Sequence, residues 1–226
     1  SNISINTGSA SSGDYVFITS TAKNVTVNAG NQANVSVASG ASDVKVTGSS
    51  VVDTIYSSGQ YVTIDAGADA DKITITSANT TVNAGTGDDN VVVTGNNLTG
   101  VSINAGDGAD KVTIDASGSS ASNLITVEGG AGGDTFSLTS TAQYVLVNGD
   151  ADGDTVNNSG QNITINGGAG NDRIINSGNN VTINAGDGAD SIVNNSGATS
   201  VLINADSGTD IIRNLATTVT INAGAG

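Results

Sequence analysis

Nine aspartates recur at one fixed distance behind short apolar runs: Asp53, Asp71, Asp89, Asp110, Asp134, Asp154, Asp172, Asp190 and Asp210. Each lies nine residues past the first position of its run: Val44, Val62, Thr80, Val101, Ile125, Val145, Ile163, Val181 and Val201. The residues between are rich in Gly, Ala and further Asp, as in Ala185-Gly186-Asp187-Gly188-Ala189-Asp190. A carboxylate next to turns that can aim backbone carbonyls inward is oxygen-only ligand chemistry. Calcium suits it, taking about six to eight oxygens in forgiving geometry. Glycine reaches positive φ without strain, which lets such turns close. The chain has no His and no Cys, so zinc, copper and iron–sulfur centres lack their soft ligands.

Charge leads to the same place. If the turns stack at the spacing of β-strands, about 4.8 Å, neighbouring carboxylates repel by about 0.9 kcal/mol even at the dielectric of water. Eight such neighbours in the series would reach the scale of a domain's whole stability, roughly 5–15 kcal/mol. The chain has only 6 Lys and Arg and a net charge of −15, although Lys72, Lys111 and Arg173 directly follow their aspartates. Bound cations are the expected neutraliser.

The elements that position these residues are repeats. Adding Ile3, Val25 and Val219 gives twelve anchors spaced 18 to 24 residues apart. That period is too short for a pair of helices and suits a coil of two short strands and two turns. All the length variation falls after the Asp. One turn is therefore held fixed while the opposite one tolerates insertion, the longest around Ala116 to Asn123. An apolar side chain sits two residues after each Asp: Ile55, Ile73, Val91, Val112, Phe136, Val156, Ile174, Ile192 and Ile212. Period-two alternation rich in Val, Ile and Thr reads as half-buried strands. The expected fold is all-β, a parallel β-solenoid of about twelve coils in a single domain over residues 1–226. Residues 1–42 form irregular first coils, with Asp14 in an expanded loop and Asn34 at the Asp position. Residues 43–226 form regular Asp-loop coils. The chain starts and stops inside the repeat, which reads as a fragment of a longer array.

Composition fits this. Among 226 residues there are 31 Gly and no Pro, Met or Trp. A solenoid needs only a narrow column of small aliphatics, renewed by each coil. The Gly and Ser content also fits a disordered linker, but regular Val and Ile positions are unexpected there. The acidic balance speaks against nucleic acid and anionic membrane as partners, and no apolar run is long enough to insert into a membrane.

The Asp loops resemble the hemolysin-type calcium-binding (RTX) family, whose nonapeptide is G-G-x-G-x-D-x-U-x with U apolar. Gly129 to Asp134 followed by Thr135-Phe136-Ser137 matches, as does Gly167 to Asp172 followed by Arg173-Ile174-Ile175. Ala105 to Asp110 and Ala185 to Asp190 depart by one residue, and Ala84 to Asp89 is close. Ala66 to Asp71, Gly149 to Asp154 and Ala205 to Asp210 are looser. The resemblance implies a parallel β-roll with calcium between successive loops, export from the cell and folding triggered by extracellular calcium. It implies ligands from the carboxylates of Asp71, Asp89, Asp110, Asp134, Asp154, Asp172, Asp190 and Asp210. Carbonyls at Gly106, Gly108, Gly130, Gly132, Gly168, Gly170, Gly186 and Gly188 would complete them. Family members carry the motif in both half-coils. Here the other half reads Ser-Gly, as at Ser159-Gly160 and Ser177-Gly178, so at most one row of ions is expected.

The expected function is a calcium-binding structural segment, a stalk, adhesin or matrix element, of a secreted or cell-surface protein. A metal-free alternative has the Asp side chains capping turn backbone groups, in a solenoid that self-associates end to end or laterally. An Asn column three residues past the anchors (Asn28, Asn83, Asn104, Asn148, Asn166, Asn184, Asn204, Asn222) reads as an amide ladder satisfying backbone groups, or as a ligand row. With Thr63, Thr81, Thr164, Thr182 and Thr220 it could order water as an ice-binding face. A polysaccharide-modifying enzyme is disfavoured, because no catalytic constellation is present and sugar clefts want aromatic and basic residues.

Overall fold

The computed structural model describes residues 2–8, 13–118 and 120–225. Ser119, within the longest insertion, and Gly226, last of the closing Gly/Ala run, lie outside them. The described residues form 23 strands and no helix. Each strand pairs in parallel with the strand two positions further along. Gln161–Ala169, Val181–Asp187 and Thr199–Asn204 stack with Ile163, Val181 and Val201 in register. Arg173–Asn176, Ser191–Asn194 and Ile211–Asn214 stack likewise on the other side. The chain is therefore a β-solenoid with two sheets, the anchor runs in one and the post-Asp runs in the other. Twelve strands belong to the first sheet and eleven to the second, so the twelfth anchor contributes only its first strand, Thr218–Asn222.

Between the sheets runs the core. Anchors such as Val145, Ile163 and Val181, and the residues two beyond them, are buried. So are Ile73, Val91, Val112, Phe136, Val156, Ile174 and Ile192 in the facing sheet. β-Branched side chains suit the extended backbone and fill the thin interior. Burial of each contributes about 1.5–3 kcal/mol.

The corner entering the first sheet turns through a left-handed residue. Asn24, Asp43, Tyr61, Asn79, Tyr144, Asn162, Asn180 and Ser200 each precede an anchor, with φ between 53° and 57°. Asn tolerates this region better than most residues, which explains its frequency here.

The second coil departs from expectation. Asn34 pairs with Thr54 and with Tyr15, so it is Ala33, buried to 1% exposure, that occupies the Asp53 position. That turn is one residue shorter than the later ones. The same register places Asp14 in line with Ala33 and Asp53.

Candidate functional site: the aspartate edge

The aspartates face inward. Asp53, Asp71, Asp89, Asp110, Asp134, Asp154, Asp172 and Asp190 are only 1–2% exposed. Inward alternation places each Asp on the same side as the apolar residue two positions after it and the residue, apolar or polar, four positions after it. At this corner the main chain leaves one N–H per coil to be satisfied, and the carboxylate of the next coil accepts it. The Asp71 N–H donates to Asp89 Oδ1 at 2.7 Å, and the Asp89 N–H to Asp110 Oδ1 at 2.7 Å. The series continues through Asp134, Asp154, Asp172 and Asp190 to the half-buried Asp210, at 2.7–3.0 Å. It starts at the Ala33 N–H, which donates to Asp53 Oδ1. The capping is thus from coil to coil.

The second oxygen is different. Oδ2 of Asp71, Asp89, Asp110, Asp134, Asp154, Asp172 and Asp190 is buried with no hydrogen-bond partner. Among the described residues, only at Asp53 are there donors to Oδ2, the Ser49 N–H at 2.7 Å and the Ser49 hydroxyl at 3.1 Å. Burial pushes the Asp71 and Asp154 carboxyls up to about 7, and those of Asp89 and Asp134 to about 6, from an ordinary 3.8. Asp110, Asp172 and Asp190 are raised by the same cause. The bound N–H opposes the rise, and neighbouring carboxylates add to it, among them the exposed Asp69, Asp88, Asp107, Asp150, Asp152 and Asp206.

The turn glycines lie on the solvent side of this column. Gly106 pairs with Gly130, and Gly168 with Gly186. A Cβ at Gly130 would strike the Gly106 carbonyl, and its φ of 108° is open to few other residues. Gly108, Gly132, Gly170 and Gly188 stand two residues further on. The N–H groups of Gly108, Gly170 and Gly188 donate to Ala131, Asp187 and Ser207 carbonyls of the next coil at 2.8–2.9 Å, and that of Gly132 to Asp152 Oδ2 at 3.2 Å. Among the described residues no three acidic side chains converge on one point. A cation at this edge would draw most of its oxygens from backbone. The orphaned buried oxygens and the oxygen-only donor set fit calcium's chemistry.

Two amide ladders accompany the acids. On the outer face of the first sheet, Asn166 Nδ2 donates to Asn148 Oδ1 at 2.6 Å, Asn184 to Asn166 at 2.6 Å and Asn204 to Asn184 at 2.7 Å. These amides bond one another and not the backbone. The adjacent Thr column is in register but carries Lys45, Leu146 and Leu202. The second ladder is internal. Asn158, Asn176 and Asn194, at most 2% exposed, continue the column that Ile75, Val93, Ile114 and Leu138 occupy in earlier coils. Reading the fourth residue after each Asp would have revealed it.

Compared with protein-family models, with curated proteins and with solved structures, the chain has no match.

Proposed function

We propose that this chain is a structural repeat segment, stiffened by calcium along its aspartate edge, of a secreted or cell-surface protein such as an adhesin or matrix element. One observation carries the reading: seven consecutive buried carboxylates each keep an oxygen that nothing among the described residues satisfies. Leaving a buried charge unpaired costs several kcal/mol, and six Lys and Arg cannot neutralise the column. Calcium, when bound, supplies positive charge and tolerates irregular oxygen cages. Asp71, Asp89, Asp110, Asp134, Asp154, Asp172, Asp190 and Asp210 would provide the carboxylates, with carbonyls from the Gly-rich turns. The chain's own part is to hold each carboxylate by the N–H bond to Oδ1, so that Oδ2 is the free ligand. Thermal unfolding followed by circular dichroism, in calcium and in EGTA, tests this. A higher midpoint in calcium supports it, and an unchanged midpoint removes calcium from the account.

The metal-free alternative rests on a specific observation too. Every Oδ1 in the column is satisfied within the chain, and the raised carboxyls can take up protons near neutrality. Under that reading the solenoid is an inert rod that protons hold together.

A further inference from the structure

Aromatic residues are scarce in this chain, four Tyr and two Phe, and half of them gather at one place. Tyr15, Phe17 and Tyr56 stand on the outer face of the second sheet, in the strands Tyr15–Ile18 and Thr54–Ser57. Between these strands lies Asn34–Val37. Register sets the side chains out. Phe17, Ser36 and Tyr56 follow one another across three coils, and Tyr15, Asn34 and Thr54 run beside them. At the spacing of paired strands, the Phe17 and Tyr56 backbones are about 10 Å apart with only a serine between. The result is a slot one strand wide, walled by two rings and floored by a hydroxyl, of about 260 Å³.

Strand propensity alone would allow aromatic side chains anywhere along this face. The positions that follow Tyr56 in register hold Thr74, Val92, Thr113 and Ser137 instead. The clustered rings are open to water, Tyr15 at 86% and Phe17 at 67% exposure. A gathered apolar patch of this kind marks an interaction site.

The surroundings select the partner. Tyr56 is also a wall of a second hollow, of about 730 Å³, where the chain rounds the corner toward the first sheet. Ser39, Gln60, Asn96 and Asn97 present exposed hydroxyl and amide groups there. Each hollow is of the order of a small-ligand site, roughly 300–1,000 Å³. No Asp, Glu, Lys or Arg lines either one, in a chain with 21 acidic residues. A lipid or the apolar face of a second copy would match the slot but leave the amides of the second hollow without partners. A polyanion would find no cation. A neutral sugar chain matches both. Its rings have apolar C–H faces that stack on aromatic side chains, and hydroxyl edges that exchange hydrogen bonds with amides and hydroxyls.

We infer that this face carries a binding site for a neutral oligosaccharide, with one sugar ring seated between Phe17 and Tyr56 and the following units in the polar hollow. No carboxylate or basic group lines it, so the site holds a glycan without cleaving it. The aspartate edge takes no part, and the inference stands or falls apart from the calcium reading.

Isothermal titration of the full chain with neutral hexasaccharides of glucose, mannose, galactose and N-acetylglucosamine tests it. Saturable binding of at least one of the four is expected, with one glycan per chain. Tyr56→Ala and Phe17→Ser should each weaken it at least tenfold. Ser36→Gln, which fills the slot and keeps both rings, should do the same. Tyr144→Ala, at a corner several coils away, should leave it unchanged. These are surface changes, and the circular dichroism spectrum checks that the coil is kept. No binding of any of the four sugars would overturn the inference, as would binding that survives both Tyr56→Ala and Ser36→Gln. Sedimentation showing a dimer that Tyr56→Ala turns into a monomer would also overturn it, and would give the patch to a second copy of the chain.

Discussion

Two polar columns run through the interior of this solenoid, and they solve the same problem with opposite success. The inner Asn ladder closes on itself. Asn158 Nδ2 donates to Asn176 Oδ1, and Asn176 to Asn194, each at 2.8 Å. The Oδ1 atoms of Asn158 and Asn176 also accept the Gly160 and Gly178 N–H groups at 2.9 and 3.0 Å. The Asp column places side chains of nearly the same shape at the other corner and, from Asp71 to Asp190, satisfies only one oxygen of each. An amide has donor and acceptor in one group, whereas an ionised carboxylate only accepts. Stacking a group on its own copy therefore completes an amide ladder and leaves a carboxylate ladder open by one partner per coil. That partner must come from solution, as a proton or as a cation.

The largest test of this contrast is pH. For Asp71, Asp154, Asp89 and Asp134 the folded-state carboxyls titrate at about 7, 7, 6 and 6, above an ordinary 3.8. A raised pKa favours the protonated fold. The stabilisation is fully present below about 3.8 and is lost as pH rises through 6 to 7. A tenfold gain in proton affinity on folding is worth at most about 1.4 kcal/mol. Without divalent ions, denaturant unfolding should show the chain several kcal/mol more stable at about pH 4 than at about pH 8. A flat profile would break the contrast, since the Asn ladder has nothing to titrate.

Converting one column toward the other gives the next effects. Asn176→Asp removes the donor to Asn194 Oδ1 and buries a new charge, and should cost about 3 kcal/mol at neutral pH in urea unfolding. Asp172→Asn does the reverse. Its new Nδ2 would face the Ala185 carbonyl, and the metal-free chain should gain about 1 kcal/mol at about pH 8 by the same measurement. If both substitutions destabilise equally, the columns differ in nothing that matters. The smallest effect is at Asp53, where Ser49→Ala withdraws one of two donors to Oδ2 and should cost about 0.5 kcal/mol.

Much of this was legible from residue order. The nine-residue offset from anchor to Asp aligned eight buried carboxylates, because the intervening turn has fixed length from Val44 onward. The offset misassigned Asn34, since that turn is one residue shorter; counting back two from the inward Val35 would have found Ala33. The direction of the aspartates was also encoded. Asp71, Ile73 and Ile75 share one parity, and all three are buried. Parity here runs against the general tendency of carboxylates to face water, which fails where a main-chain N–H needs them. The inner Asn ladder, at Asn158, Asn176 and Asn194, has the same parity as the buried Ile75 and Val93. The left-handed corners before the anchors had a weaker signal, because Tyr61, Tyr144 and Ser200 occupy them beside the Asn residues.

The most direct measurement is the calcium response of the melting midpoint at two pH values. At about pH 8, where the orphaned oxygens are charged, excess calcium should raise the midpoint well above that in EGTA. At about pH 4, where protons occupy them, calcium should change nothing. Equal midpoints with and without calcium at about pH 8 would contradict the claim that a cation completes the aspartate column.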